Sequence, residues 1–570
     1  MEVSVISFRA KVLWLCVIIA SASAVFFACG RSSVKPSFDI IIKGGKIIDG
    51  AGNPWFYGDV GIKADTIVAI GDLEGRTADR IILAGGMAVA PGFIDMHTHC
   101  DWGLSSPEAR GNFNYLTQGV TTVVTGNCGM SPVSIRETAA QWNKEGVGTN
   151  AAILVGLGTV REKVMGSEDR RPSPREMTDM KAMVEKAMEE GAFGVSTGLQ
   201  YIPGKFATTD EIVELAGVAS AFGGMYASHL RSEEEDLIPA VEEAIRIGEQ
   251  TRLRVEISHL KSSGRPNWGR LKEAVGLVSK ARSRGMEVTA DIYPYNKSAT
   301  TTLETIFNLP PDLGPLTAIE AKLEGSDLSA EERKELESRL VGELQKALTD
   351  PETRLKIRRL TTKGVPDKVN WVAKGGWENF TIMFSRTNPA FVGRMFSDLA
   401  RELGRPEFDI AADLYIAEGR DLLISLSAMS EEDVRLGLSQ PWTMISSDGE
   451  SMVQTSEERV HPRNFGTFTR VLAKYVRDEG LLGLEDAVRK MTSLPAQLLR
   501  LKDRGIIREG AKADLVVFDP TKVQDRATFL EPRQLSTGII FVLVNGAFAV
   551  ENGSYNGALK GRPLLNNGPK

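Results

Sequence analysis

The sequence is poor in cysteine and histidine. Four cysteines in 570 residues cannot make a disulfide framework, so the chain must rely on a buried apolar core. There is no surplus of positive charge: 68 Lys and Arg stand against 74 Asp and Glu, a net charge of −6. Without a basic stripe, a nucleic-acid partner is excluded. The bias of a disordered or collagen-like chain is also missing, because hydrophobic residues make up 42% and charged residues 25%. That composition is globular. The length would serve about four ordinary domains, or one barrel of more than roughly 400 residues with insertions.

The N-terminus reads as a targeting segment, residues 1–29. Arg9 and Lys11 precede an uncharged, apolar stretch of 17 residues, Val12 to Ala28. This falls between the core of a signal peptide, about 7–15 residues, and a membrane-spanning helix of about 20. Ala22-Ser23-Ala24 fits a signal-peptidase site. Phe26-Phe27-Ala28-Cys29-Gly30 resembles a bacterial lipobox, atypical in having Phe at its first two positions, with Cys29 as the lipidated residue. An uncleaved anchor is the third reading. All three export the remainder, to the periplasm or to a membrane-attached lipoprotein.

From residue 90 onward, short apolar runs alternate with amphipathic segments, the pattern of βα units. Eight strand-like runs stand out at 93–99, 121–128, 151–156, 192–198, 224–229, 254–259, 287–295 and 442–448. Eight parallel strands with helical returns predict a (β/α)8 TIM-type barrel, with its active site at the C-terminal ends of the strands. Most of these runs end in a residue able to bind metal or carry a proton. Of the five histidines, His97, His99, His229 and His259 end strands. Cys128 follows His99, and His259 follows His229, by about one strand-helix-strand period. A single histidine at a strand end is most often structural. Four of them, with Cys128 and Asp448 in the same ring, point to a metal centre.

Each member has a bland alternative. His97 and His99 share a strand face and can approach one ion, although half-buried strands also carry that pattern. Cys128 sits between glycines in Gly126-Asn127-Cys128-Gly129; as a thiolate it can hold one zinc or bridge two, and as a free thiol it is core. Cys100 reads as packing, with a disulfide to Cys128 as the other option. Asp448 can act as base and then acid beside a metal, or cap a turn before Gly449.

These motifs resemble the amidohydrolase superfamily, and within it the N-acyl-D-amino-acid deacylase (D-aminoacylase) family. The resemblance runs from about Ile40 to Gly553. It includes Gly44 to Gly50, Pro91 to His99, Gly126 to Gly129, Gly191 to Leu199, Ala227-Ser228-His229, Ile257 to Lys261, Ser447-Asp448-Gly449, His461-Pro462-Arg463 and Gly510 to Val516. It implies a tightly bound Zn2+ on Cys128, His229 and His259, with a second, weaker position facing His97, His99 and Asp448. Asp448 would be the general base and acid. Arg463, Lys261 and Tyr293 would hold the carboxylate of a small-molecule N-acyl-D-amino acid, whose linear amide would be hydrolysed.

Two departures stand out. The fourth strand, Phe193 to Gly198, offers no lysine for a carbamate bridge between metals, which favours linear over cyclic amides by association. Leu157 stands where the family has histidine after the third strand. A long excursion follows Tyr295; from about Pro310 to Trp377 it reads as an insertion able to cover the site as a lid, striped by Leu336, Leu340, Leu344 and Leu348 and capped at Ser329, before helical barrel sequence resumes over about 379–419. The flanks, residues 38–90 and 501–560, alternate apolar runs with turns, and each is too short for its own core. They are expected to pair into one small β-sandwich beside a barrel spanning 91–500. The competing readings are another amidohydrolase activity, on cyclic amides or dipeptides, and a non-catalytic binding lipoprotein.

Overall fold

The structure is a computed structural model that describes residues 38–323, 330–365, 370–456, 459–566 and 568. The leader, Cys29 and the cap at Ser329 lie outside the described residues. Among the described residues no helix is long and apolar enough to cross a membrane.

Eight parallel strands form the barrel wall: β1 (Phe93–Asp95), β2 (Val120–Thr125), β3 (Asn150–Ile153 and Val155–Gly156), β4 (Gly194–Gly198), β5 (Met225–His229), β6 (Arg254–Ile257), β7 (Val288–Ile292) and β8 (Thr443–Ile445). Neighbours pair in parallel from β1 to β3 and again from β3 to β8. β3 changes partner at Leu154. Its N–H bonds Thr125 of β2, and the next pairing belongs to β4.

The ring is not closed by a regular ladder. β8 meets β1 through a single parallel bridge beyond both strands, Thr98 with Gly449. There His99 N–H donates to Gly449 O at 2.7 Å and Asp448 N–H to His97 O at 2.9 Å. The buried Asp95 carboxylate adds a link by accepting from Ser447 N–H at 3.1 Å. Several strands are therefore shorter than the sequence runs suggested. Their last residues leave the ladder because they must turn side chains toward one another: Cys128 (φ 52°), His259 (φ 35°) and Asp448 (φ 51°) adopt left-handed backbone, which extended pairing does not tolerate.

The returning helices form as the pattern dictates. Pro174–Glu189 opens on a capping box, with Ser173 Oγ accepting from Glu176 N–H and the Glu176 carboxylate from Ser173 N–H. It buries Met180, Val184, Ala187 and Met188, at the spacing of one helical face. Leu237–Thr251 does the same with Leu237, Val241, Ala244, Ile245 and Gly248.

The chain ends build one continuous nine-stranded sheet rather than two separately paired layers. Ala88–Pro91 and Leu515–Phe518 join its halves by antiparallel pairing. Strand Phe38–Ile47 shifts register between Ile42 and Gly45, pairing at its start with Ala78–Leu83 and at its end with Ala88–Pro91. Such a bulge bends a sheet. One core, with Ile42, Val60 and Ile62 from the first half and Leu515, Val517 and Leu543 from the second, fills the enclosed side.

The insertion after β7 is larger than its sequence suggested. It has a three-stranded antiparallel sheet of Ala299–Thr302, Leu423–Leu426 and Phe380–Phe384. Residues 379–419 therefore belong to the insertion and do not resume the barrel. The apolar run Phe380 to Phe384 forms a strand there, with helices Phe396–Leu403 and Glu407–Glu418 packed after it. The leucine stripe is buried within helix Ala330–Thr349. The barrel returns only with helix Glu431–Ser439.

Candidate metal centre and active site

The turn after β2 carries the thiol. Gly126 (φ +79°) and Gly129 (φ +76°) flank it; a Cβ on Gly126 would strike the Leu154 carbonyl, and one on Gly129 would lie 2.8 Å from Gly198 N. Glycine alone lets this turn pack between β3 and β4. Ser196 braces it, its Oγ donating to Gly126 O at 2.5 Å and accepting from Gly129 N–H at 3.1 Å. Cys128 Sγ is thereby aimed into the ring of strand ends. Cys100 is buried in the core, and neither cysteine is bridged.

All six residues singled out by the sequence converge. Cys128 Sγ lies 3.8 Å from His229 Nδ1 and 3.7 Å from His259 Nε2, and these two nitrogens are 2.9 Å apart. Ligands held about 2.0–2.3 Å from a tetrahedral zinc are separated by roughly 3.3–3.8 Å, so a small inward or outward adjustment accommodates one ion. On the other side of the sulfur, His97 Nε2 is 3.4 Å away and lies 3.5 Å from Asp448 Oδ1, which is 3.1 Å from His99 Nε2. The sulfur therefore stands between two donor groups, where it could serve either.

Side chains not singled out in the sequence orient the histidines. Gln200 Oε1 is 3.2 Å from His229 Nε2, Glu233 Oε1 is 2.9 Å from His259 Nδ1, and Asp291 Oδ2 is 3.3 Å from His97 Nδ1. Each imidazole thus turns its other nitrogen toward the cluster, an arrangement that fixes metal ligands. A thiol with imidazoles so oriented is a donor set suited to zinc. Burial opposes ionisation of Cys128, but the neighbouring imidazoles, His97 foremost, bring its pKa well below that of a thiol. Burial also opposes the charge on Asp448, yet Arg463 and then His99 hold it well below the usual carboxylate range.

The cluster opens into a cavity of about 690 Å3, lined also by Lys261, Tyr293 and Arg463. Arg463 Nη1 donates to Asp448 Oδ2 at 2.7 Å and to Ser298 O at 3.2 Å, while its Nε has no partner. Tyr293 Oη, also buried, has none either. Burial pushes the Tyr293 pKa up to about 12, so it remains a hydrogen-bond donor. Lys261, expected to help hold the substrate carboxylate, lines the cavity with its ammonium already engaged. Its Nζ donates to Glu233 Oε1 at 2.5 Å and to His259 O at 2.9 Å, which ties it to the histidine support. The fifth histidine, His461, positions Arg463. Its Nδ1 accepts from Arg463 N–H at 3.0 Å, and its Nε2 donates to Lys297 O at 2.9 Å. Leu157 is buried at the start of helix Leu157–Met165 and borders a separate small pocket.

A barrel whose strand ends gather imidazoles, a thiol and a carboxylate around a cavity defines an amidohydrolase-type metal hydrolase. A family model described as the amidohydrolase family matches residues 398–550. The chain is 35% identical to a D-aminoacylase of Alcaligenes xylosoxydans xylosoxydans, covering 94% of this chain and 99% of that protein. It is also 35% identical to an N-acyl-D-aspartate deacylase of the same organism, covering 89% and 91%. It superimposes on the structure of an N-acyl-D-glutamate deacylase from Bordetella bronchiseptica, complexed with zinc and a phosphonate mimic of the tetrahedral intermediate, with a TM-score of 0.72 and 32% identity over 93% of this chain and 100% of that one. The chain belongs to the N-acyl-D-amino-acid deacylase family of amidohydrolases.

Proposed function

We propose that the chain hydrolyses the amide bond of N-acyl-D-amino acids, releasing a carboxylate and a D-amino acid, with zinc as its metal. The observation that carries this reading is the joint presence, in one cavity, of the Cys128, His229 and His259 donors and of two unpartnered groups suited to a carboxylate, Arg463 Nε and Tyr293 Oη. Cys128, His229 and His259 would hold the tight zinc, and His97, His99 and Asp448 face a second, weaker position. Bound there, zinc would polarise the scissile carbonyl and acidify a water molecule.

The protein's own groups supply the remainder. Asp448 takes a proton from the attacking water and returns it to the leaving nitrogen, without which an amide does not depart at neutral pH. The substrate carboxylate binds Arg463 through Nε while Nη1 stays on Asp448, so one guanidinium sets the distance between substrate and base. Tyr293 Oη donates to the same carboxylate. Lys261 contributes through Glu233, by holding His259. With carboxylate and carbonyl both fixed, D and L substrates differ in where the side chain falls, and the cavity wall at that third point gives D selectivity. The absence of lysine from β4 favours linear amides over rings by association with the family.

The test is a panel of N-acetyl-D-amino acids, their L counterparts and a dihydropyrimidine, run with zinc-loaded protein. Hydrolysis confined to the D series is expected; turnover of the ring alone, or of no acyl amino acid, would overturn the reading. The leader supports export with a lipid on Cys29, and mass spectrometry of the mature N-terminus distinguishes that from cleavage after Ala24.

A further inference from the structure

We infer that this site selects N-acyl-D-amino acids with apolar side chains, aliphatic or aromatic, over those of aspartate and glutamate. The inference rests on the deacylase reading above and concerns the part of the cavity outside the reacting groups. An acidic side chain carries a second carboxylate, and burying it requires a second cation.

Among the described residues that line the cavity, the lysine and arginine side chains are Lys261 and Arg463. Both are committed: Lys261 to Glu233, and Arg463 to Asp448. Arg463 has an edge left for the α-carboxylate, and the side chain would have to find another partner. Lys297, close in sequence to the cavity residue Ser298, is turned away. Its Nζ donates to Thr381 Oγ1 at 3.1 Å and Ser425 Oγ at 2.9 Å, inside the insertion.

The cavity wall has the opposite character. Trp102 (68% exposed), Met130 (51%) and Tyr201 (46%) are large apolar side chains left open to solvent, and all three line this cavity. Trp371 of the insertion joins them. Singly exposed apolar residues are ordinary; several around one opening mark a surface kept for an apolar ligand. Each also sits next to the chemistry in sequence or space. Trp102 lies three residues after His99 and Met130 two after Cys128, and the Tyr201 ring meets His229 at a tilt of 52°, 4.6 Å between centroids. The remaining ionisable groups of the lining, Asp101, Glu234 and Glu450, are acidic and do not favour a second carboxylate.

The experiment compares kcat/KM of the zinc-loaded protein for N-acetyl-D-leucine, -D-methionine and -D-phenylalanine with that for N-acetyl-D-aspartate and -D-glutamate. The expected result is a preference for the apolar set of at least roughly tenfold. Met130→Lys, which places a cation on the wall, should shift the ratio toward D-glutamate, and Trp371→Ala should lower kcat/KM for the apolar set more than for the acidic set. Faster hydrolysis of the D-aspartate or D-glutamate derivative by the unmodified protein would overturn this inference and leave the deacylase reading standing. No hydrolysis of any member would overturn both.

Discussion

The barrel mouth and the sheet built from the chain ends handle polarity and backbone strain in opposite ways. In the sheet, the left-handed non-glycine residues Ala64, Asn545 and Asn552 occupy tight turns between paired strands, two of them in Asn-Gly pairs that favour such hairpins. At the mouth, the same backbone conformation falls on Cys128, His259 and Asp448. Among the described residues, buried side-chain atoms without partners are absent from 38–91 and 505–566, whereas the mouth holds Asp101 Oδ1, Tyr293 Oη and Arg463 Nε. Unsatisfied buried polarity costs about 1–3 kcal/mol per group. The sheet carries none of that cost, whereas at the mouth a bound ligand can relieve it. Left-handed backbone at Cys128, His259 and Asp448 likewise falls on the residues that the chemistry needs.

That contrast can be broken from either side. The largest change comes from the group meant to move the proton. Asp448→Asn should lower kcat by about 10²–10⁴ while the tightly bound zinc is retained; unchanged turnover would remove Asp448 from the proton path. Next is the support behind a ligand. Glu233→Gln should weaken zinc affinity by roughly 10–100-fold, read by titration against a chelator, and an unaltered affinity would reduce Glu233 to a partner of Lys261 alone. Smallest in activity is a change to the sheet. Leu515→Ala should cost about 2–5 kcal/mol of stability in denaturant unfolding, with kcat and zinc content unaffected in the folded protein. A matching loss of zinc would mean that the two regions are not separable as described.

Much of the centre was legible because its residue types are scarce. With so few histidines and cysteines, each one at a strand end carried weight, and the period between them placed Cys128 one strand from His99 and His259 one strand from His229. Their supports were hidden by abundance. Glu233 lies in Ser232-Glu233-Glu234-Glu235-Asp236, which reads as a solvated acidic run, and Gln200 follows a strand in an ordinary loop. Asp291 did leave a signal, a lone carboxylate inside the apolar strand Val288–Ile292. Lys261 was visible, but its direction was not, since only the fold brings Glu233 within reach. Strand ends were overextended because alternation continues past the point where the ladder stops. The insertion misled for a related reason: the run Phe380 to Phe384 gains its strand partners from Leu423–Leu426, some forty residues downstream, and no local pattern announces that pairing.

The most direct test is zinc per chain, measured by inductively coupled plasma mass spectrometry on the unmodified protein and on Cys128→Ser, with hydrolysis of N-acetyl-D-leucine followed on the same samples. The arrangement of donors predicts that the variant loses the tight zinc and its turnover together. A Cys128→Ser protein that keeps both would contradict a thiolate at the heart of this site.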